Sequence, residues 1–110
     1  MKEIKAIVQP FMATRVIDAL RQFDDLPGVT VSNVTGFGRK TSDGGGEQSD
    51  LEEAPMTKLE IVVPDHRADE IVRLIASSAH TGHPEDGKIF VLEVEDVVRI
   101  RTGERGEKAI

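Results

Sequence analysis

The chain has no cysteine, no tryptophan and no tyrosine, and only four of its 110 residues are phenylalanine. Without cysteine, disulfides, zinc-thiolate sites and cysteine nucleophiles are excluded. With so few aromatics, the stacking platform of a single-strand RNA binder is hard to build. Basic residues are in the minority: 14 Lys and Arg against 20 Asp and Glu leave a net charge of -6, the wrong sign for a general nucleic-acid binder, so no nucleic-acid partner is expected. Long apolar runs are missing too, and Met1-Lys2-Glu3-Ile4 reads as the start of a strand rather than a signal peptide. The expectation is a single domain over residues 1–110, in the cytoplasm by default and not inserted in a membrane.

In so acidic a chain a local cationic cluster is informative. Asp86-Gly87-Lys88-Ile89-Phe90 opens an apolar strand, and Arg99-Ile100-Arg101-Thr102-Gly103-Glu104 follows it. If the second stretch is extended, Arg99 and Arg101 share a face while Val98 and Ile100 point the other way. A lysine, two parallel arginines and a glycine loop point to an anion site, a phosphate chain being the best match. A solvated strand edge with charges on its wet face fits these residues equally well.

Taken in order, residues 2 to 9 alternate, with Ile4, Ala6 and Val8 on one side and Ile7 on the other, which predicts a strand ended by Pro10. From about Thr14 the apolar residues Val16, Ala19, Leu20 and Phe23 keep helical spacing, up to the stop at Leu26-Pro27-Gly28. Val29 to Val34 predicts a second strand that runs into Gly36-Phe37-Gly38-Arg39. Between Asp43 and Glu53 there are five acids, no base and only Leu51 to bury, so a long mobile loop is expected at about 39–56. Thr57 to Val63 alternates as a third strand, ended by Pro64. A helix N-capped by Asp65 follows, with Ala68, Ile71, Val72, Ile75 and Ala79 on one stripe. A loop through Thr81-Gly82-His83-Pro84 leads to a fourth strand, Lys88 to Val94, and a short final strand through Val98 to Arg101.

This order predicts an α+β ferredoxin-like βαββαβ sandwich: a four-stranded antiparallel sheet, two helices on one face, and a short C-terminal strand. No helix is left for the other sheet face, where Ile7, Val62, Phe90 and Leu92 put apolar surface. A homo-oligomer is therefore expected.

These stretches resemble the PII-type nitrogen-regulatory signalling proteins. The resemblance runs through Ile4 to Phe11, Val29-Thr30-Val31, Gly36 to Arg39, Glu60 to Asp65, Thr81-Gly82 with Asp86 to Phe90, and Arg99 to Glu104. It implies a homotrimer of ferredoxin-like subunits with adenine nucleotide (ADP, AMP or ATP) in the clefts between neighbours. The long loop would dock onto a protein partner such as a membrane transporter or its regulator. By the same resemblance Gly87, Lys88, Arg99 and Arg101 would hold the phosphates. Gly36, Gly38 and Arg39 would form the loop base beside the nucleotide, and Ile7, Gly28, Thr30, Glu60 and Val62 would line the adenosine pocket. The implied chemistry is recognition rather than turnover, since no nucleophile with a positioned base appears in these motifs.

The chain also departs from the pattern. The nitrogen-sensing branch carries a glutamine where this chain has Lys40, and a protonated ammonium offers a metal no lone pair. Met56 stands where a lysine assists oxoacid binding, so both changes argue against 2-oxoglutarate and magnesium as effectors. No tyrosine is present for nucleotidylation, and the loop serines Ser42 and Ser49 are weak phosphorylation candidates. Glu85 replaces a glycine two residues before Gly87-Lys88 and would repel the distal end of a triphosphate, so ADP or AMP is expected to bind at least as well as ATP. The alternatives are a metal- or bicarbonate-linked regulator of a transport system, a small nucleotide-hydrolysing ferredoxin-like enzyme, and a structural or amino-acid-binding domain of similar fold. The candidate metal set, His80 and His83 with Asp43, Glu47 and Asp50, lacks a fixed third ligand and is not expected to bind metal. His66 reads as an exposed helix-start residue.

Overall fold

The computed structural model describes residues 1–39 and 51–110. The elements are β1 (Lys2–Val8), α1 (Pro10–Leu20), β2 (Thr30–Arg39), β3 (Leu51–Val63), α2 (Asp65–Ala79) and β4 (Gly87–Glu93), with a 3-10 turn at Glu107–Ala109. The four strands form one sheet in the order β2-β3-β1-β4, with every neighbouring pair antiparallel. This is the expected ferredoxin-like βαββαβ arrangement.

Alternation along β1 decides which face is covered. Ile4, Ala6 and Val8 are buried with Leu59, Ile61 and Val63 of β3, beneath Val16 and Leu20 of α1 and Ile71 and Ile75 of α2. In α1 the buried residues Met12, Ala13, Val16 and Leu20 follow a helical stripe. The helix starts earlier than Thr14: Pro10, expected only as a strand stop, occupies the first turn, where its missing N–H costs nothing and its fixed φ suits the helix. Phe23 lies past the helix end, partly buried against the core, with the Arg67 guanidinium 5.2 Å from its ring centroid.

Asp65 is not the N-cap of α2. Pro64 holds that position in extended backbone, and Asp65 stands in the first turn, where its carboxylate accepts the Met1 amino group at 2.7 Å. That hydrogen bond holds the Asp65 carboxyl below the usual carboxylate range.

The second and third strands run farther than expected. The β2–β3 ladder continues past Val34 opposite Met56 to Arg39 opposite Leu51, so most of the flanks of the expected 39–56 loop are paired backbone. Pro55 is tolerated because this part of β3 has a strand on one side only: β1 reaches no farther than Thr57. The rest of the expected loop, with Lys40, Ser42, Asp43, Glu47, Ser49 and Asp50, lies outside the described residues. The short C-terminal strand is reduced to an isolated bridge between Val98 and Arg105, closed by a turn in which Arg99 N–H donates to Glu104 O and Gly103 N–H to Arg99 O.

The sheet face away from the helices carries Glu3, Lys5 and Ile7 of β1, Lys58, Glu60 and Val62 of β3, and Lys88, Phe90 and Leu92 of β4. Phe90 is 47% exposed and Leu92 39%. Among the described residues no helix is long and apolar enough to cross a membrane.

Candidate functional site

One end of the open face is organised by the loop into β4. The Asp86 carboxylate accepts hydrogen bonds from the Thr81 hydroxyl, from Thr81 N–H at 2.8 Å and from Gly82 N–H at 2.9 Å. These donors, the Thr81 hydroxyl first, hold its carboxyl below the usual range. Gln9 closes the loop from the other side, its Nε2 donating to Glu85 O at 2.5 Å. The loop delivers Gly87 at φ +106°, directly against β1, where an added Cβ would stand 1.8 Å from Ile7 O. Only glycine fits. Lys88 follows, exposed and opposite Ile7. Ile7, Gly87 and Lys88 line one cavity of about 270 Å³ with Asp86, His80 and Ala79.

The opposite end of the sheet holds a second cavity of about 380 Å³. It brings together Gly28, Thr30, Glu60 and Val62, all singled out in the sequence, with Glu3, Pro27, Val97, Ala109 and Ile110. Thr30 pairs with Glu60 across β2 and β3. Glu60 meets Lys58 at 3.4 Å, and Glu3 is its diagonal neighbour on this face; the interaction of the two carboxyls pushes Glu3 above the usual range and Glu60 below it. Arg99 reaches this end: its Nη2 donates to Ile110 O at 3.1 Å.

The chain does not bring all of its candidate residues together. Ile7 pairs with Lys58, four residues along β3 from Val62, so roughly 13 Å separate the two ends at about 3.3 Å per residue. Gly87 and Lys88 begin β4 beside Val8, whereas Arg99 follows its far end. Arg101 is exposed in the turn, and residues 100–102 are not extended, so the shared-face argument for Arg99 and Arg101 does not apply. Gly36 and Gly38 lie on β2 opposite Ala54 and Glu52, on the arm leading to Arg39. Met56, half-buried opposite Val34, has its Cγ 3.7 Å from where a Gly36 Cβ would stand.

Sequence reasoning missed Glu3 and the tail residues Ala109 and Ile110 as pocket residues, and the role of Asp86 in holding the glycine loop. Glu3 was legible as sharing a face with Ile7; the tail gave no periodic signal. Among the described residues no group of three His, Asp or Glu stands close enough to hold a metal ion, and Asp43, Glu47 and Asp50 lie outside them.

The family model "Nitrogen regulatory protein P-II" matches residues 1–104. The chain belongs to this family. Over 113 aligned positions it is 42% identical to the nitrogen regulatory protein P-II of Azospirillum brasilense and 44% identical to P-II 1 of Escherichia coli K12, in each case across the full length of both chains. A crystal structure of Arabidopsis thaliana PII bound to citrate superposes with a TM-score of 0.80 at 41% identity, covering 99% of this chain and 91% of that one. The P-II family is one of signal-transduction proteins.

Proposed function

We propose that this P-II chain is a cytoplasmic adenine-nucleotide sensor. It works as a homotrimer whose clefts join the Gly87-Lys88 end of one subunit to a neighbour's adenosine-lining end, and it signals to a protein partner, such as a membrane transporter or its regulator, through the β2–β3 arm. The observation that carries the reading is Gly87. Its positive φ and a Cβ position 1.8 Å from Ile7 O keep bare backbone beside Lys88, the arrangement that cradles a phosphate oxygen. The separation of Lys88 from Arg99 along one subunit supports a cleft completed by a second copy, and the half-exposed Phe90 and Leu92 supply apolar surface for that contact.

Glu85 is exposed and its main-chain oxygen is held by Gln9, which leaves its carboxylate beside the phosphate end. ADP and AMP bind at least as well as ATP for that reason. Lys40 and Met56 argue against 2-oxoglutarate and magnesium as co-effectors. Calorimetric titration of the three nucleotides with and without magnesium tests the reading. Binding of ADP or AMP supports it, ATP binding more than about tenfold tighter and only with magnesium ends the preference, and absence of any binding ends the sensor reading. Removing residues 42–54 tests the arm: unchanged recovery of the partner in a pull-down would sink the docking role.

A further inference from the structure

The wall of the adenosine-end cavity that carries Pro27 and Gly28 belongs to the loop between α1 and β2. This loop does little to hold itself. Leu26 N–H donates to Phe23 O at a long 3.4 Å, and Pro27 has no N–H to give. Gly28 adds backbone freedom. The subunit's own packing does not call for glycine there, since its φ is not positive and an added Cβ would meet nothing within 4 Å.

The loop is held from outside by Arg67, in the first turn of α2. Its Nη1 donates to Asp25 Oδ2 at 2.6 Å, and its guanidinium carbon lies 5.2 Å from the centre of the Phe23 ring. Its Nε is 3.3 Å from Glu70 Oε2, an ion pair rather than an aligned hydrogen bond. The Arg67 side chain is only 18% exposed, so its bond to Asp25 is screened less than one between two free surface chains. Nη2 is buried with no partner among the described residues, a cost that a guanidinium free to swing into water would avoid. A flat fork laid on one ring and tied to one acid is a fixed geometry that a lysine does not reproduce.

Between Asp25 and the cavity the chain is stiff. Leu26 packs against the core and precedes a proline, which disfavours helical backbone at Leu26, and Pro27 has a fixed φ. Fixing Asp25 therefore fixes Pro27 and the entry to Gly28.

We propose that Arg67 is a positioning residue of the nucleotide site: through Asp25 and Phe23 it holds Pro27 and Gly28 in place as the wall against which a nucleoside packs. This rests on the adenine-nucleotide reading. Arg67 lines neither cavity, so it acts through the loop and not by touching the ligand. A wall already in place costs the ligand no ordering, whereas a wall in place only part of the time weakens binding by the inverse of that fraction.

The test is calorimetric titration of ADP into the full chain, wild type, Asp25→Asn and Arg67→Lys, beside backbone amide NMR relaxation of the free proteins. Asp25→Asn is the leading variant, because its side chain is 67% exposed and Glu70 remains to pair with the guanidinium, so the fold is kept. In wild type the Gly28 amide is as rigid as the sheet, with an order parameter of about 0.85; in both variants it falls below about 0.6 while the Leu59 amide keeps its value. ADP weakens about three- to tenfold in both variants. A merely structural role for Arg67 would lower stability and leave the Gly28 order parameter where it was. An order parameter at Gly28 equal in wild type and Asp25→Asn overturns the inference, as does a loss of ADP affinity smaller than about threefold once Gly28 is loosened. No ADP binding by wild type overturns the nucleotide reading and this role with it, and the order parameters then tell that failure apart from the absence of a latch.

Discussion

Gly87→Ala is the substitution for which the structure predicts the most from the least chemistry. One methyl group is added, but it lands 1.8 Å from Ile7 O, 2.9 Å from Ile7 C and 3.3 Å from Val8 Cα. A relaxed nonbonded contact is roughly 3.5 Å, so β4 must recede from β1 by more than about 1.5 Å at its first residue, or Gly87 must leave its φ of +106°. Backbone strain of this kind costs about 1–3 kcal/mol. Opening the first rung of the β1–β4 ladder, where Gly87 pairs with Val8, forfeits about 1 kcal/mol per hydrogen bond. The expected destabilisation is about 2–4 kcal/mol, read from denaturant unfolding at fixed protein concentration with no nucleotide present. Gly38→Ala is the control. Nothing lies within 4 Å of its added Cβ and its φ is not positive, so its effect stays within about 0.5 kcal/mol. If Gly87→Ala changed stability by less than about 0.5 kcal/mol, the close approach of the two strands would be refuted, and with it the bare-backbone argument for the phosphate end.

Other outcomes follow from the same geometry. Leu59→Ala, at a side chain 1% exposed in the core, is expected to cost about 3 kcal/mol in chemical denaturation, and a loss below about 1 kcal/mol would mean the core there is looser than described. Lys88→Ala should leave the unliganded thermal midpoint unchanged, since the side chain is exposed, while weakening ADP at least about tenfold by calorimetry; retained affinity would remove Lys88 from the site. Asp86 has a folded-state pKa below the ordinary 3.8 because the Thr81 hydroxyl and the Thr81 and Gly82 amides bind its ionised form. The stability it contributes is therefore present above the unfolded value and is lost as pH falls through the lower folded value. Asp86→Asn should flatten the acid limb of the unfolding midpoint between about pH 5 and about pH 2. A limb of unaltered steepness would contradict that account.

Much of the fold can be read from local pattern. The alternation in β1 and in Thr57–Val63 put Ile4, Ala6, Val8, Leu59, Ile61 and Val63 on the covered face, and the stripe from Ala68 to Ala79 gave α2 its buried side. Such patterns are legible because burial of one face imposes a period of two or of 3.6 residues. Patterns fail where ends are set by partners. Pro10 looked like a stop and is a helix start, since a first-turn N–H has no acceptor to lose. Asp65 looked like a cap and was taken instead by the Met1 amine. The stretch at about 39–56 looked like loop, yet Arg39 and residues 51–56 find strand partners across β2 and β3.

For the site, the sequence by itself determined the inventory: a glycine-lysine pair, two arginines, a threonine, an acid and several apolar residues, in an order that also carries the family. Residue identity sets charge, donor count and backbone freedom, and none of these needs a fold to be known. Only the tertiary structure decided how they are grouped. It set Gly87 against Ile7, turned the Arg99–Glu104 stretch out of strand geometry and onto the tail, and stood Lys88 and Arg99 at opposite ends of the sheet. It also brought Glu3 to Glu60 across two strands whose residues are far apart in the chain. Register is a property of paired strands, so the placing of Glu3 beside Glu60 has no trace in either residue's own neighbourhood.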